Sequence, residues 1–261
     1  MSQVEALNSS KLGTKEYWDD FYAHELQNFA ENPDDEGEVW FADADAEDKV
    51  IEFLIKNSDG KDEDDSEDDY DNNDDENTPP EFKQATTSVL DLGTGNGHLI
   101  FRVRTDAGFY GRLCGIDYAA TSVTFANNIL SSKVESGSLD DPDRNISFRH
   151  VDFLKYDSST ENEGWDLVLD KGTLDAIALS GDKLESNGMT GIQQYPLAVR
   201  DTLLRIGGII LITSCNFTQE ELLQLMDISG LEFWKAISYP VFEFGGAKGQ
   251  SISSVAWRRT K

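Results

Sequence analysis

Positive charge is scarce in this sequence. Against 50 aspartates and glutamates stand 22 lysines and arginines in 261 residues, for a formal net charge of −28. A chain this acidic offers few cations to neutralise phosphates, which disfavours nucleic acid as a partner and suits a basic protein. Cysteine is scarcer still. Cys114 and Cys215 lie in apolar, strand-like contexts with no spacing for zinc or a redox pair, so they read as reduced core residues, and no metal site is expected. Long apolar runs are missing too. None approaches the ~20 residues needed to span a bilayer, and the N-terminus lacks the basic and apolar regions of a signal peptide. The expectation is a soluble, cytoplasmic, monomeric protein with no membrane contact.

What is present divides into three stretches. In residues 1–56, Trp18, Phe21, Tyr22, Leu26 and Phe29 recur at helical intervals behind a capping Thr14, and a second helix is predicted over 45–56 behind Val39-Trp40-Phe41. Together they form an N-terminal helical cap. Residues 57–80 hold twelve acidic residues against one lysine, with Tyr70 the only large apolar residue. Such a segment cannot bury enough apolar surface to offset its ordering entropy, so it reads as a disordered acidic insertion. From 81 to 261 strands and helices alternate, with strands at 89–92, 113–116, 146–151, 165–169 and 209–213. Thr218 to Glu221 is a capping box, and a helix containing Pro196 leads into the most apolar strand through Gly207-Gly208. Two last strands, 232–239 and 251–258, are joined by a short Gly-rich link that implies an antiparallel pair. The predicted fold is a single α/β domain: a doubly wound, mostly parallel, seven-stranded Rossmann-like sheet with an antiparallel final strand.

The first strand runs into Val-Leu-Asp-Leu-Gly-Thr-Gly-Asn-Gly at 89–97. Glycines at 93, 95 and 97 allow a tight turn and close backbone approach to a ligand, and the following helix offers its N-terminus. The third glycine comes one residue earlier than in the dinucleotide fingerprint, and Asp91 ends the strand. A carboxylate there would repel a pyrophosphate but suits a ribose or a cationic aminoacyl group, so the chemistry favours S-adenosyl-L-methionine over a nicotinamide cofactor. Later strands end in Asp117, Asp152 and Asp170. Asp117 stands where an acidic residue reaches ribose hydroxyls, and Asp152-Phe153 suits an adenine amine and ring. Each of these aspartates would equally well cap the turn after its strand.

With Gly-Ile-Asp-Tyr at 115–118 and Asp152-Phe153, the chain resembles the class I, seven-strand S-adenosylmethionine-dependent methyltransferases over about 85–261. Four further stretches resemble the lysine methyltransferases that modify translation elongation factor 1-alpha: Leu-Gly-Thr-Lys-Glu-Tyr-Trp at 12–18, Gly-Glu-Val-Trp-Phe at 37–41, Asp-Lys-Gly-Thr-Leu-Asp-Ala at 170–176 and Ser-Cys-Asn-Phe-Thr at 214–218. The acidic insertion departs from that pattern. The resemblance implies cofactor-binding roles for Asp91, Gly93, Gly95, Asp117, Tyr118, Asp152 and Phe153. It adds Trp18 and Asp170 to the cofactor pocket, with Gly13 as a further cap candidate and Trp40 on the substrate side. Asp170 is expected nearest the transferred methyl, as the catalytic carboxylate.

No Asn/Asp-Pro-Pro-Tyr/Phe segment follows the fourth strand, which argues against methylation of base amines or glutamine amides. The favoured expectation is a protein-lysine N-methyltransferase acting on elongation factor 1-alpha. A small-molecule methyltransferase on the same fold and a non-catalytic acidic binding protein are the alternatives, with a nicotinamide dehydrogenase more distant.

Overall fold

The computed structural model describes residues 7–60, 81–140, 145–155, 164–239, 242–244, 247–249 and 251–261. Its sheet is built from β1 (Val89–Leu92), β2 (Leu113–Asp117), β3 (Ile146–His150), β4 (Trp165–Lys171), β5 (Leu204–Ser214), β6 (Leu231–Ile237) and β9 (Ser253–Arg259), in the order β3-β2-β1-β4-β5-β9-β6. The pairings from β3 through β5 are parallel, whereas β9 runs antiparallel to both its neighbours, β5 and β6. The final strand is therefore inserted between β5 and β6, the two strands of this sheet that precede it in sequence. The Gly-rich link before it holds a small ribbon of its own, β7 (Phe242–Phe244) paired with β8 (Ala247–Gly249).

Period-two alternation decides which side chains face which layer. In β5, Ile209 and Leu211 pack among one group of helices while Ile210 and Ile212 pack among the other, all four fully buried. The first layer comprises α1 (Lys15–Glu31), α2 (Ala46–Lys56), α3 (His98–Thr105) and α4 (Ala120–Ser136); the second, α5 (Thr173–Ser180), α6 (Gly191–Ala198) and α7 (Gln219–Leu225). The N-terminal helices belong to the first layer itself. Tyr22, Phe29, Val50, Ile51 and Leu54 share one buried cluster with Val89, Leu113, Leu167 and Leu211.

Local signals explain most element ends. Thr14 Oγ1 accepts from Tyr17 N at the start of α1, and Thr218 with Glu221 forms the predicted capping box of α7. Two details mark the approach to β5. Pro196 lies well inside α6, where it can donate no backbone hydrogen bond, and the chain then widens into a π-turn at Val199–Leu203 before β5. Strand β5 begins at Leu204, earlier than predicted, and Gly207-Gly208 falls inside it where the register against β4 shifts. The pair is a bulge, with Gly207 in left-handed backbone.

Residues 57–60, expected to open the acidic insertion, are described and packed, with Asn57 and Ser58 buried. The rest of the insertion, 61–80, lies outside the described residues. Its two ends are tied together: Glu81 N and Phe82 N both donate to Asn57 O, and Asp59 N to Phe82 O, each at 3.0 Å. Arg258 then grips the Glu81 carboxylate through both terminal nitrogens, at 2.8 and 2.6 Å. No described helix is long and apolar enough to cross a membrane. Because the neck is closed independently of the segment it carries, replacing 61–80 by a short glycine-serine link should leave the melting temperature within ~3 °C of the parent in calorimetry. A loss of ~10 °C would mean that the insertion itself holds the fold.

Candidate functional site

The sheet order reverses at β1, whose neighbours β2 and β4 lead away to opposite edges, and the glycine turn sits at the carboxyl end of that strand. Gly93 and Gly95 have φ of 59° and 58°. A Cβ at Gly93 would lie 2.2 Å from Thr173 Oγ1, and one at Gly95 2.5 Å from the Tyr22 hydroxyl. Both conformation and space therefore demand glycine. Thr173 Oγ1 donates to Leu92 O at 2.6 Å and Gly95 N to Asp117 Oδ2 at 3.2 Å, so neighbouring elements lock the turn.

Around this turn opens a cavity of about 780 Å³. Its walls include Trp18, Trp40, Asp91, Gly93, Gly95, Asp117, Tyr118, Asp152 and Phe153, and also Gly13. Asp117 is buried and also accepts from Ala119 N at 2.9 Å and Ser122 Oγ at 2.9 Å; burial raises its pKa although these bonds favour the charged form. Burial lifts Asp91 to about 7, against the opposing pull of Thr94 and Lys171. Asp152 sits at the rim, paired with Lys155 at 2.9 Å.

One wall is aromatic. Trp18 contacts Trp40 edge-on at 5.3 Å and stacks on Tyr22 at 6.0 Å, and its indole donates to Leu12 O at 2.7 Å. The Trp40 indole Nε1 is buried with no hydrogen-bond partner among the described residues. The strap carrying Trp40 is tied to the glycine turn by Asn96 Nδ2, which donates to Glu36 O at 2.9 Å, and to β4 by Lys171 Nζ, which donates to Trp40 O at 3.0 Å.

Asp170 departs from the expectation. It is buried, but it does not line the cavity. With Val168 it belongs to the parity of β4 that faces the second helix layer. One oxygen accepts from Thr173 N at 2.9 Å and Leu174 N at 3.2 Å, capping α5, and the other from Tyr195 Oη at 2.6 Å. Tyr195 in turn meets Phe153 edge-on at 5.8 Å, so Asp170 supports the cavity wall from behind. The carboxylate of that motif that does reach the cavity is Asp175. Its oxygens accept from Ser214 Oγ at 2.5 Å and Cys215 N at 3.0 Å, which ties the 170–176 and 214–218 stretches into one unit. Cys215, expected in the core, is exposed where it lines the cavity; partial desolvation, with Asp175 beside it, pushes its thiol up to about 12, so it is no thiolate nucleophile.

Residues 83–246 match a family model described as a methyltransferase domain. The chain belongs to this methyltransferase family. It is also similar over nearly its whole length to the protein-lysine N-methyltransferase EFM4 of Saccharomyces cerevisiae, at 44% identity covering 96% of each chain. To the EEF1A lysine methyltransferase 2 of Homo sapiens it is 32% identical, over 96% of this chain and 87% of that one. Among solved structures, the cyclase SpnF superposes with a TM-score of 0.50 at 17% identity, covering 91% of this chain and 78% of that one, a likeness of fold alone.

Inspection of sequence missed Tyr22, Glu47, Lys171 and Asp175, all of which line the cavity. Tyr22 had a signal, one helical turn beyond Trp18. Lys171 and Asp175 both lie inside the 170–176 stretch, whereas Glu47 carries no local mark. For Asp170, replacement by alanine would orphan the buried Tyr195 hydroxyl and uncap α5. Asp170→Ala should therefore lower stability by about 3 kcal/mol in denaturant unfolding, with Asp170→Asn recovering part of the loss. Turnover per folded molecule should change only a few-fold; a collapse of turnover at unchanged stability would restore a catalytic role.

Proposed function

We propose that this methyltransferase uses S-adenosyl-L-methionine to methylate a lysine of translation elongation factor 1-alpha. The observation that carries this reading is near-full-length similarity to two proteins whose names state lysine methylation, one of them on EEF1A. The cavity fits the cofactor. Gly93 and Gly95 hold left-handed backbone at the cavity wall with Thr173 Oγ1 and the Tyr22 hydroxyl packed where a Cβ would stand, and the buried Trp40 N–H has no acceptor among the described residues. In this reading Asp117 and Tyr118 hold the ribose, Asp152 and Phe153 the adenine, and Asp91, Gly93 and Gly95 the aminoacyl end, with Trp18 and Tyr22 covering it.

When bound, S-adenosyl-L-methionine supplies a methyl group activated by a positively charged sulfur. The chain's contribution is alignment and exclusion of water. Trp18 and Trp40 present a dry wall that favours the uncharged form of an entering lysine, whose ordinary pKa is ~10.4. Burial holds the Tyr22 hydroxyl protonated, so it remains a neutral donor beside Gly95. The acidic composition suits a basic protein substrate, and a cysteine-poor chain with no described membrane-spanning helix suits a cytoplasmic, monomeric enzyme of the translation machinery.

Labelled S-adenosylmethionine incubated with the purified chain and recombinant elongation factor 1-alpha should place label on one lysine; label confined to small metabolites would refute the reading. The cofactor site has its own check. Asp91, held at about 7 in the free protein, must lose its proton to face an aminoacyl ammonium. Calorimetric affinity for S-adenosylhomocysteine should rise with pH up to about 7 and level off above it, and Asp91→Asn should remove that slope.

A further inference from the structure

A resident cation stands inside the cavity. Lys171 is the last residue of β4, and the pairing of Leu92 with Asp170 sets it beside Gly93 at the glycine turn. Its Nζ lies 3.0 Å from Trp40 O, 3.5 Å from Glu47 Oε1 and 5.8 Å from the Phe41 ring centroid. Glu47, on α2, is 6% exposed and lines the same cavity. Its other oxygen is 2.6 Å from His98 Nδ1 and 3.9 Å from Arg102 Nη1, both on α3. Both oxygens of this buried carboxylate are thus engaged. Burial alone would raise its pKa, but the His98 hydrogen bond and the Lys171 charge outweigh that and hold it below the ordinary value.

This arrangement bears on a difficulty of lysine methylation. An ammonium has no lone pair to offer, and a bare carboxylate in a dry cavity would stabilise that ammonium and keep it unreactive. A cation nearby has the opposite effect. We infer that Lys171 sets the charge state of the acceptor: it keeps Glu47 from capturing the incoming lysine and, by like-charge repulsion, drives that lysine to the free amine. Lys171 acts here as a positioning residue, through Glu47 and the field in the cavity. The acceptor's proton leaves to water. The nitrogen lone pair then forms the C–N bond as the donor's C–S bond breaks, its electrons remaining on sulfur.

Other charged groups do not cancel this effect. Facing Lys171 are Glu47 from α2, Asp91 from β1 and the Trp40 carbonyl and Phe41 ring from the strap, with His98 and Arg102 of α3 behind Glu47. Asp91, in the reading above, ionises against the cofactor's aminoacyl ammonium, and those two charges offset one another. Asp170, adjacent in sequence, is turned to the other face and bonded to Tyr195, and Asp175 is held by Ser214 and Cys215.

The inference rests on the lysine-methylating reading above, and the test separates the two. With saturating S-adenosylmethionine and elongation factor 1-alpha, kcat is followed against pH for the full chain, Lys171→Met and Lys171→Arg, since its ascending limb reports ionisation in the bound complex. Lys171→Met should move that limb up by about one unit and cost about tenfold in kcat near neutral pH, recovered at alkaline pH. Lys171→Arg should keep the limb in place. Independently of turnover, calorimetry in buffers of different ionisation enthalpy should show the enzyme with S-adenosylhomocysteine releasing protons when elongation factor 1-alpha binds, and releasing fewer in Lys171→Met. S-adenosylhomocysteine affinity within about twofold of the parent's at a pH above the Asp91 transition, where loss of the Lys171 charge no longer alters that carboxylate's ionisation, certifies a folded site. A Lys171→Met profile with its limb unmoved and only a lower plateau, or with unchanged proton release, overturns the inference while the functional reading stands. A parent chain that transfers no methyl group to the factor overturns both.

Discussion

A stretch of left-handed backbone with no room for a side chain is the constraint on which the rest of this protein depends. At Gly93 and Gly95 three elements converge: α1 through the Tyr22 hydroxyl, α5 through Thr173 Oγ1, and β2 through the Asp117 carboxylate. Each approaches so closely because the turn carries hydrogens where other residues carry Cβ. The contacts that shape the cavity floor are the same ones that close the turn. The cavity floor and the packing of two helix layers are therefore one arrangement, and neither can shift alone.

The four strand-ending aspartates, identical in sequence logic, have four environments. Asp91 is buried in the cavity, where desolvation holds it near 7. Asp117 is fastened by the turn and by Ser122. Asp152 sits at the rim beside Lys155, and Asp170 faces the opposite layer. The expected acidic rim is thus a graded field, with one solvated carboxylate, two in the cavity wall and one withdrawn. It also contains a cation, Lys171, one residue beyond Asp170. Strand parity separates the two, since adjacent side chains on a strand point to opposite faces.

That parity explains much of what sequence left undecided. Alternation along β4 puts Leu167 and Leu169 on one face and Val168 and Asp170 on the other, but by itself gives no sign of which face borders the cavity. The shift of register between Trp165 and Leu167, where Gly207-Gly208 bulges in β5, breaks any count carried from the start of the strand. The N-terminal aromatics were legible as a helix face. Their meeting with the glycine turn was not, because the contact of Tyr22 with Gly95 spans the insertion and two elements.

By itself the sequence determined the order of the seven strands of the main sheet, the caps at Thr14 and Thr218, the glycine turn and most of the residues that gather at the strand ends, but neither the separate helices α5 and α6 nor the β7–β8 ribbon. The features it determined follow from periodicity, from positive φ and from side chains bonding within a few residues of themselves, all local physics. Only the tertiary structure decided that β9 inserts between β5 and β6, that α1 and α2 complete a helix layer, that Asp170 turns away, and that Glu47 and Lys171 share the cavity. Lys171 reaches a carbonyl 131 residues away and His98 a carboxylate 51 residues away. Such partners are chosen by burial, where an unpaired charge is too costly to persist, and no local pattern records them.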